Sequence, residues 1–168
     1  MKHLIELCPY FREKINSLIA ISRENDWPEV YVTCGLRSFL DQDALYAIGR
    51  TQPNPRNASK EYPFGTPVTS AIGGQSWHNY GLAVDVCVFG LGRKPLWDYT
   101  LPCWGKLGQL GLDLGLEWGG TWSGTKRDPP HFQFRGGLTL SAAKAIYTIN
   151  GLVGVWEEAL RTYAEEKQ

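Results

Sequence analysis

The sequence predicts an α+β fold, a small and mainly antiparallel sheet with flanking helices. Three observations predict it. The apolar pattern runs helix, strand, helix, several short strands and then helices, not in regular strand–helix alternation. The 168 residues suffice for one hydrophobic core and contain no repeat, linker or low-complexity tract, so 1–168 reads as a single domain. Hydrophobic residues make up 43% and charged residues 20%, the balance of an ordinary globular protein.

The first helix is predicted from Pro9, which suits an initial turn, with Phe11, Ile15, Leu18 and Ile19 at helical spacing. It should stop near Asn25, before Trp27-Pro28. Val30 to Thr33 reads as a strand. Ser38, with Asp41 three residues on, should cap a second helix striped by Leu40, Ala44, Leu45 and Ile48 and closed at Gly49. Gln52 to Thr66, rich in proline, reads as an irregular loop and a candidate wall of a cleft. Pro67 to Ala71 is expected as a brief strand, and Leu82 to Phe89 as a buried one. A helix from about Thr100 to Leu114 presents Trp104, Leu107, Leu110, Gly111 and Leu114 and ends at Gly115. Leu116 to Trp118 and His131 to Arg135 are short strands, and Ser141 to Ile149 and Leu152 to Tyr163 two closing helices split by Asn150-Gly151.

Charge excludes some functions. Lys plus Arg and Asp plus Glu are both 17, so no bulk pull toward nucleic acid or anionic membrane is expected. Separately, a monomer is expected. Cys8, Cys34, Cys87 and Cys103 form no Cys-x-x-Cys pair and read as free thiols of a reducing compartment, although sequence leaves a disulfide open. The amino terminus is too short and too charged for a signal-peptide core, and no apolar run reaches membrane-spanning length. The expectation is synthesis in the cytoplasm, with export or release by another agent.

The chemistry concentrates in Gly73 to Val86. Asp85 interrupts an apolar run, and a carboxylate there costs several kcal/mol unless paired. Two readings stay open: Asp85 accepts backbone or hydroxyl hydrogen bonds, or it shares a cation with His78. A second imidazole, His131, stands in Asp128-Pro129-Pro130-His131-Phe132. Two histidines and an aspartate with a fourth position open is how proteins hold a catalytic zinc. His3, the third histidine, has no carboxylate near it in sequence and is assigned no role.

Hydrolysis at such a zinc needs a base, an oxyanion donor and a cleft. Asp128, three residues before His131 in a proline-stiffened segment, is the candidate base, or else a loop aspartate capping a turn. Arg37, at a strand-to-helix turn, is the candidate donor to an oxyanion or a substrate carboxylate, or a solvated surface arginine. Ser76 is a candidate substrate contact or a turn former. Glu117 is a second candidate base or an anchor for a neighbouring ligand. Trp77, Trp118 and Trp122 are candidate cleft walls, Trp118 and Trp122 among the substrate contacts.

Ser76-Trp77-His78-Asn79-Tyr80-Gly81-Leu82-Ala83-Val84-Asp85 resembles the Ser-x-His-x-x-Gly-x-Ala-x-Asp signature of the zinc D-Ala-D-Ala carboxypeptidase (VanY-like) superfamily, and Asp128-x-x-His131-Phe132 resembles its second signature. Gly35-Leu36-Arg37-Ser38, Ala44-Leu45-Tyr46-Ala47, Gly49-Arg50-Thr51, Gly73-Gly74-Gln75 and Trp118-Gly119-Gly120 resemble its L-alanyl-D-glutamate endopeptidase branch, which includes phage endolysins. The resemblance runs from about Tyr31 to Phe134. It implies the small α+β fold shared with the hedgehog signalling domain, one Zn2+ on His78, Asp85 and His131, Asp128 as base and Arg37 stabilising the transition state. It further implies a zinc metallopeptidase that cuts the L-Ala–D-Glu bond of the peptidoglycan stem peptide. The missing signal-peptide core adds the expectation of a phage endolysin, released to the wall or periplasm through holin holes. A D-Ala-D-Ala carboxypeptidase or dipeptidase on the same site is the alternative within enzymes, and an inactive zinc-stabilised binding module the alternative outside them. Two departures, Thr121 where an acidic residue is frequent and the long insertion from Gln52 to Tyr62, are expected near the substrate cleft and so bear on which bond is cut.

Overall fold

A computed structural model describes residues 2–25 and 27–168; the side chain of His3 lies outside what is described. In chain order the elements are helices α1 (Lys2–Ile5) and α2 (Pro9–Glu24), strand β1 (Glu29–Cys34), helix α3 (Phe39–Ala47), strand β2 (Ala83–Phe89), helix α4 (Pro102–Asp113), strands β3 (Glu117–Trp118) and β4 (His131–Gln133), and helix α5 (Leu140–Glu165). The four strands form one sheet in the order β1-β2-β4-β3, every pair antiparallel. The α+β class expected from the sequence is the one found.

The two-residue period of β2 separates core from chemistry. Val84, Val86 and Val88 are buried in one apolar cluster with Phe11, Ile15 and Leu18 of α2 and Trp104 and Leu107 of α4. Asp85 stands on the other face. Its ladder neighbours are Cys34 on β1 and His131 on β4, and an irregularity of β1 between Val32 and Cys34 sets the first of these pairings. Three polar side chains thus line up across three strands at the end of the sheet nearest the turn that precedes β2.

Helix α4 packs closely because two of its three glycines, Gly108 and Gly111, face neighbouring rings. A Cβ on Gly108 would sit 2.3 Å from the Trp118 ring, and one on Gly111 2.4 Å from Phe132. Helix α5 breaks at Gly151 (φ 65°, ψ −161°), where two separate helices were expected, and its second arm buries Val155 and Ala159.

Several expectations are corrected. Ser38 caps α3 by accepting from Asp41 N at 3.0 Å, and Gly49 follows its end at φ +81°, but the buried residue of that helix is Gln42, while Leu40 is 80% exposed. Pro67 to Ala71 forms no strand, in keeping with a proline that cannot donate and a run that finds no ladder partner. His78 belongs to a single 3-10 turn, Trp77–Tyr80, that leads into β2. The loop from Gln52 to Thr66 is irregular as expected, tied by the buried Asn54, whose Nδ2 donates to Thr66 O at 2.7 Å. It does not wall the cleft described below, which is lined instead by the residues that follow it. The four cysteines are free.

Candidate metal centre

Asp85 is the hub. Its Oδ1 lies 3.3 Å from His78 Nε2 and 3.1 Å from His131 Nδ1, and its Oδ2 lies 3.7 Å from an Arg37 nitrogen. Each histidine is oriented from behind. His78 Nδ1 lies 2.9 Å from Gly35 O, which can only accept, so Nδ1 carries a proton and Nε2 turns toward Asp85. His131 Nε2 pairs at 3.0 Å with Gln133 Oε1, leaving Nδ1 for the centre. Gln133 in turn donates to Glu117 Oε2 at 2.9 Å, and Glu117 pairs with Arg135 at 2.7 Å. Backing of this kind fixes ring tautomers at metal sites.

The donors fit zinc. Ligands about 2.0–2.1 Å from a tetrahedral zinc ion stand roughly 3.3 Å apart, and the two separations from Asp85 Oδ1 are 3.3 and 3.1 Å. Two histidine nitrogens and one carboxylate oxygen are the nitrogen–oxygen set of a catalytic site with a position left for water. Cys34 also approaches, but at 3.9 Å from Nδ1, the ring edge away from Asp85, so it supports the ring from the side. Its thiol also accepts from Arg37 Nη2 at 3.0 Å.

Without a cation the charges are strongly coupled. Burial disfavours a charged His78, but its hydrogen bonds to Asp85 and Cys34 outweigh burial and push its pKa up to about 10. Burial likewise opposes ionised Asp85, yet His131 and His78 hold its carboxyl far below the usual range. Burial lowers the ease of ionising Cys34 too, but hydrogen bonding and proximity to His78 prevail and lower its pKa. Asp128, although its side chain reaches solvent, is raised, first by desolvation and then by the Asp85 charge, against the pull of both histidines.

Asp128 is placed by its backbone. Its N–H donates to Gly119 O at 2.9 Å, and its carbonyl accepts from His131 N at 3.0 Å. A Cβ on Gly119 would lie 2.4 Å from that carbonyl, so only glycine fits there. Carboxylate oxygens of Asp85 and Asp128 and a nitrogen of His131 all lie within 4.8 Å of one another. Arg37 is held by Gln42, whose Oε1 accepts from Nη1 at 2.7 Å.

The centre lies in an open cleft of about 860 Å³. Ser76, Trp77, Trp122 and Asp128 line it, and Trp122 tilts against His131 with ring centroids 5.2 Å apart. Trp118 does not. It alternates with Glu117 on a two-residue strand, so Glu117 joins the polar face while Trp118 stacks on Phe132 over α4 and donates Nε1–H to Pro129 O at 2.8 Å. The expectation of Trp118 as a substrate contact is therefore corrected: it is a packing residue. Thr121 is also absent from the lining, its hydroxyl donating to Trp118 O at 2.7 Å.

Residues 69–134, which span His78, Asp85, Asp128 and His131, match the family model described as D-alanyl-D-alanine carboxypeptidase. The recognition made from the sequence signatures agrees with it, and so does the metallopeptidase class. The peptidoglycan L-alanyl-D-glutamate endopeptidase CwlK of Bacillus subtilis (strain 168) is 37% identical over 93 residues, 55% of this chain and 48% of that protein. The chain thus spans about half the length of this curated relative. Among solved structures, the L-Ala D-Glu endopeptidase ChiX of Serratia marcescens superposes with a TM-score of 0.53 at 22% identity, covering 79% of this chain and 83% of that one. The D,D-pentapeptidase VanY of a VanB-type vancomycin-resistance cassette, solved in complex with Zn(II), gives 0.53 at 19% identity, covering 89% and 81%. The carboxypeptidase-family segment therefore sits in the fold shared by both structures.

Sequence reasoning missed Gln42, Gln133 and Asn79. Asn79 is buried and joins the metal-side turn to α3, its Oδ1 accepting from Gly74 N at 2.9 Å and its Nδ2 donating to Arg37 O at 3.0 Å. Gln133 was findable, because a residue two positions from His131 on one strand shares its face.

Proposed function

We propose that this chain is a zinc-dependent peptidoglycan peptidase that cuts the L-Ala–D-Glu bond of stem peptides. The observation that carries the reading is the convergence of His78 Nε2, His131 Nδ1 and Asp85 Oδ1, with the Asp128 carboxylate beside them in an open cleft. The 37% identity with an L-alanyl-D-glutamate endopeptidase across 93 residues supports the choice of bond.

His78, Asp85 and His131 hold the ion. Zinc there supplies a Lewis acid that makes water acidic near neutrality and polarises a carbonyl. Asp128 takes the proton of the attacking water and delivers it to the D-Glu nitrogen as the carbon–nitrogen bond breaks. Arg37, fixed by Gln42 and Cys34, donates to the oxygen that gains charge on the L-Ala carbonyl. Gly35 and Gln133, with Glu117 behind the latter, hold the two rings, and Ser76 and Trp122 contact the peptide from the cleft walls.

The description of the matched family favours a second reading, a D-Ala-D-Ala carboxypeptidase on the same centre. Mass spectrometry of purified peptidoglycan digested with and without a chelator separates them. Metal-dependent release of peptides with a new amino-terminal D-Glu supports the endopeptidase, loss of terminal D-Ala the carboxypeptidase, and no product an inactive binding module. The same reading extends to a phage endolysin acting at the wall. Co-expression with a holin should then lyse cells, and expression without it should not.

A further inference from the structure

The whole chain is neutral, with 17 basic and 17 acidic residues, but the cleft is not. Its lining carries Arg37, Arg50, Lys126 and Arg127 against the carboxylates of Asp85 and Asp128. Two charges of a bound divalent cation would cancel those two carboxylates. The four basic side chains would then face the cleft without compensation from its own walls.

Three of these cations are not explained by the centre. Among the described residues, Arg50, Lys126 and Arg127 form no ion pair with a carboxylate. Arg50 is nevertheless fixed. Its Nη1 donates to Tyr46 O at 2.6 Å and its guanidinium lies 3.7 Å from the centre of the Tyr46 ring, while the rest of its fork has no acceptor among the described residues. On the Trp122 side, Arg127 Nε donates to Gly120 O at 3.2 Å, which anchors the stem of that residue beside Asp128. A half-buried, preordered Arg50 without a carboxylate partner, facing the exposed Lys126 and Arg127 across the cleft, favours an anion, and a planar carboxylate fits the guanidinium donors best.

We propose that the cleft selects an acidic peptide, with Arg50 on one wall and Lys126 and Arg127 on the other receiving free carboxylates of the substrate. This rests on the reading of the site as a peptidoglycan peptidase and deepens it: stems with free carboxylates are preferred over stems whose carboxylates are amidated. Amidation removes the negative charge and replaces an acceptor oxygen by a donor, which these cations repel.

The test compares kcat/KM for two synthetic stem peptides, identical but for a D-Glu α-carboxylate or its carboxamide, using the zinc-loaded full chain. The acid should be cleaved about tenfold faster, the size of one charge-assisted hydrogen bond, and its advantage should shrink as salt rises. Arg50→Gln and, separately, the exposed Arg127→Gln should each move the acid-to-amide ratio toward one. Equal rates for the two peptides, or a ratio untouched by both variants, would overturn the proposal. Cleavage of neither peptide would count against the peptidase reading itself. Calorimetric binding of the same two peptides to the zinc-loaded protein then decides, tighter binding of the acid supporting selection and equal binding refuting it.

Discussion

Gln42 holds Arg37 from the interior: fully buried on α3, it accepts from Arg37 Nη1 at 2.7 Å and donates its own amide to Ala71 O at 2.8 Å. One side chain thereby ties Arg37, the proposed oxyanion donor, to the strip that leads into the cleft. Gln42→Leu strands the donor and the Ala71 carbonyl, each costing about 1–3 kcal/mol if left unpaired. The variant should melt earlier and lose kcat more than it changes KM. Parallel thermal melts and steady-state kinetics check both effects.

Zinc affinity should rise with pH. His78 must be neutral at Nε2 to bind, and its metal-free pKa is pushed up to about 10. Below that value binding expels a proton, so affinity should increase about tenfold per pH unit between 7 and 9. The same raised pKa stabilises the metal-free fold fully below the unfolded histidine value, and that contribution is lost as pH rises through about 10. Competition with a calibrated chelator measures the slope; a flat profile contradicts the coupling of His78 to Asp85.

Asp128→Asn should lower kcat by about 10²- to 10⁴-fold while leaving the melting temperature near that of the native protein. In the metal-free protein Asp128 should titrate above an ordinary aspartate, because desolvation and then the Asp85 charge raise its pKa. An NMR titration of the side-chain carboxyl carbons of the metal-free protein, with Asp128→Asn as the assignment control, reads this directly.

Trp118→Ala should act on stability, by about 3–5 kcal/mol, since the ring packs on Phe132 and fills the space that Gly108 leaves. Trp122→Ala should act on KM, since that ring borders the cleft against His131. Denaturant titration and kinetics on the pair separate packing from binding.

Sequence legibility followed physical contrast. Asp85 was conspicuous because a carboxylate within an apolar strand demands a partner, and His78 and His131 because histidines are few. Ser38 and Gly151 announced their helix boundaries through capping and backbone freedom. Gln42 was invisible because an amide in sequence looks like surface, and only its burial shows that it holds Arg37; Gln133 was legible only through its two-residue spacing from His131. Trp118 was misassigned because aromatic residues serve clefts and cores alike, although its alternation with Glu117 already placed the two on opposite faces. The strand expected at Pro67 to Ala71 failed because β-propensity does not provide a ladder partner.

The most direct measurement is the zinc content of purified variants by elemental mass spectrometry. The native chain and Asp128→Asn should each carry one zinc per molecule, and His78→Ala, Asp85→Ala and His131→Ala should carry almost none. Full zinc occupancy in any of the three alanine variants, or its loss in Asp128→Asn, would contradict the division of this site into three ligands and a base.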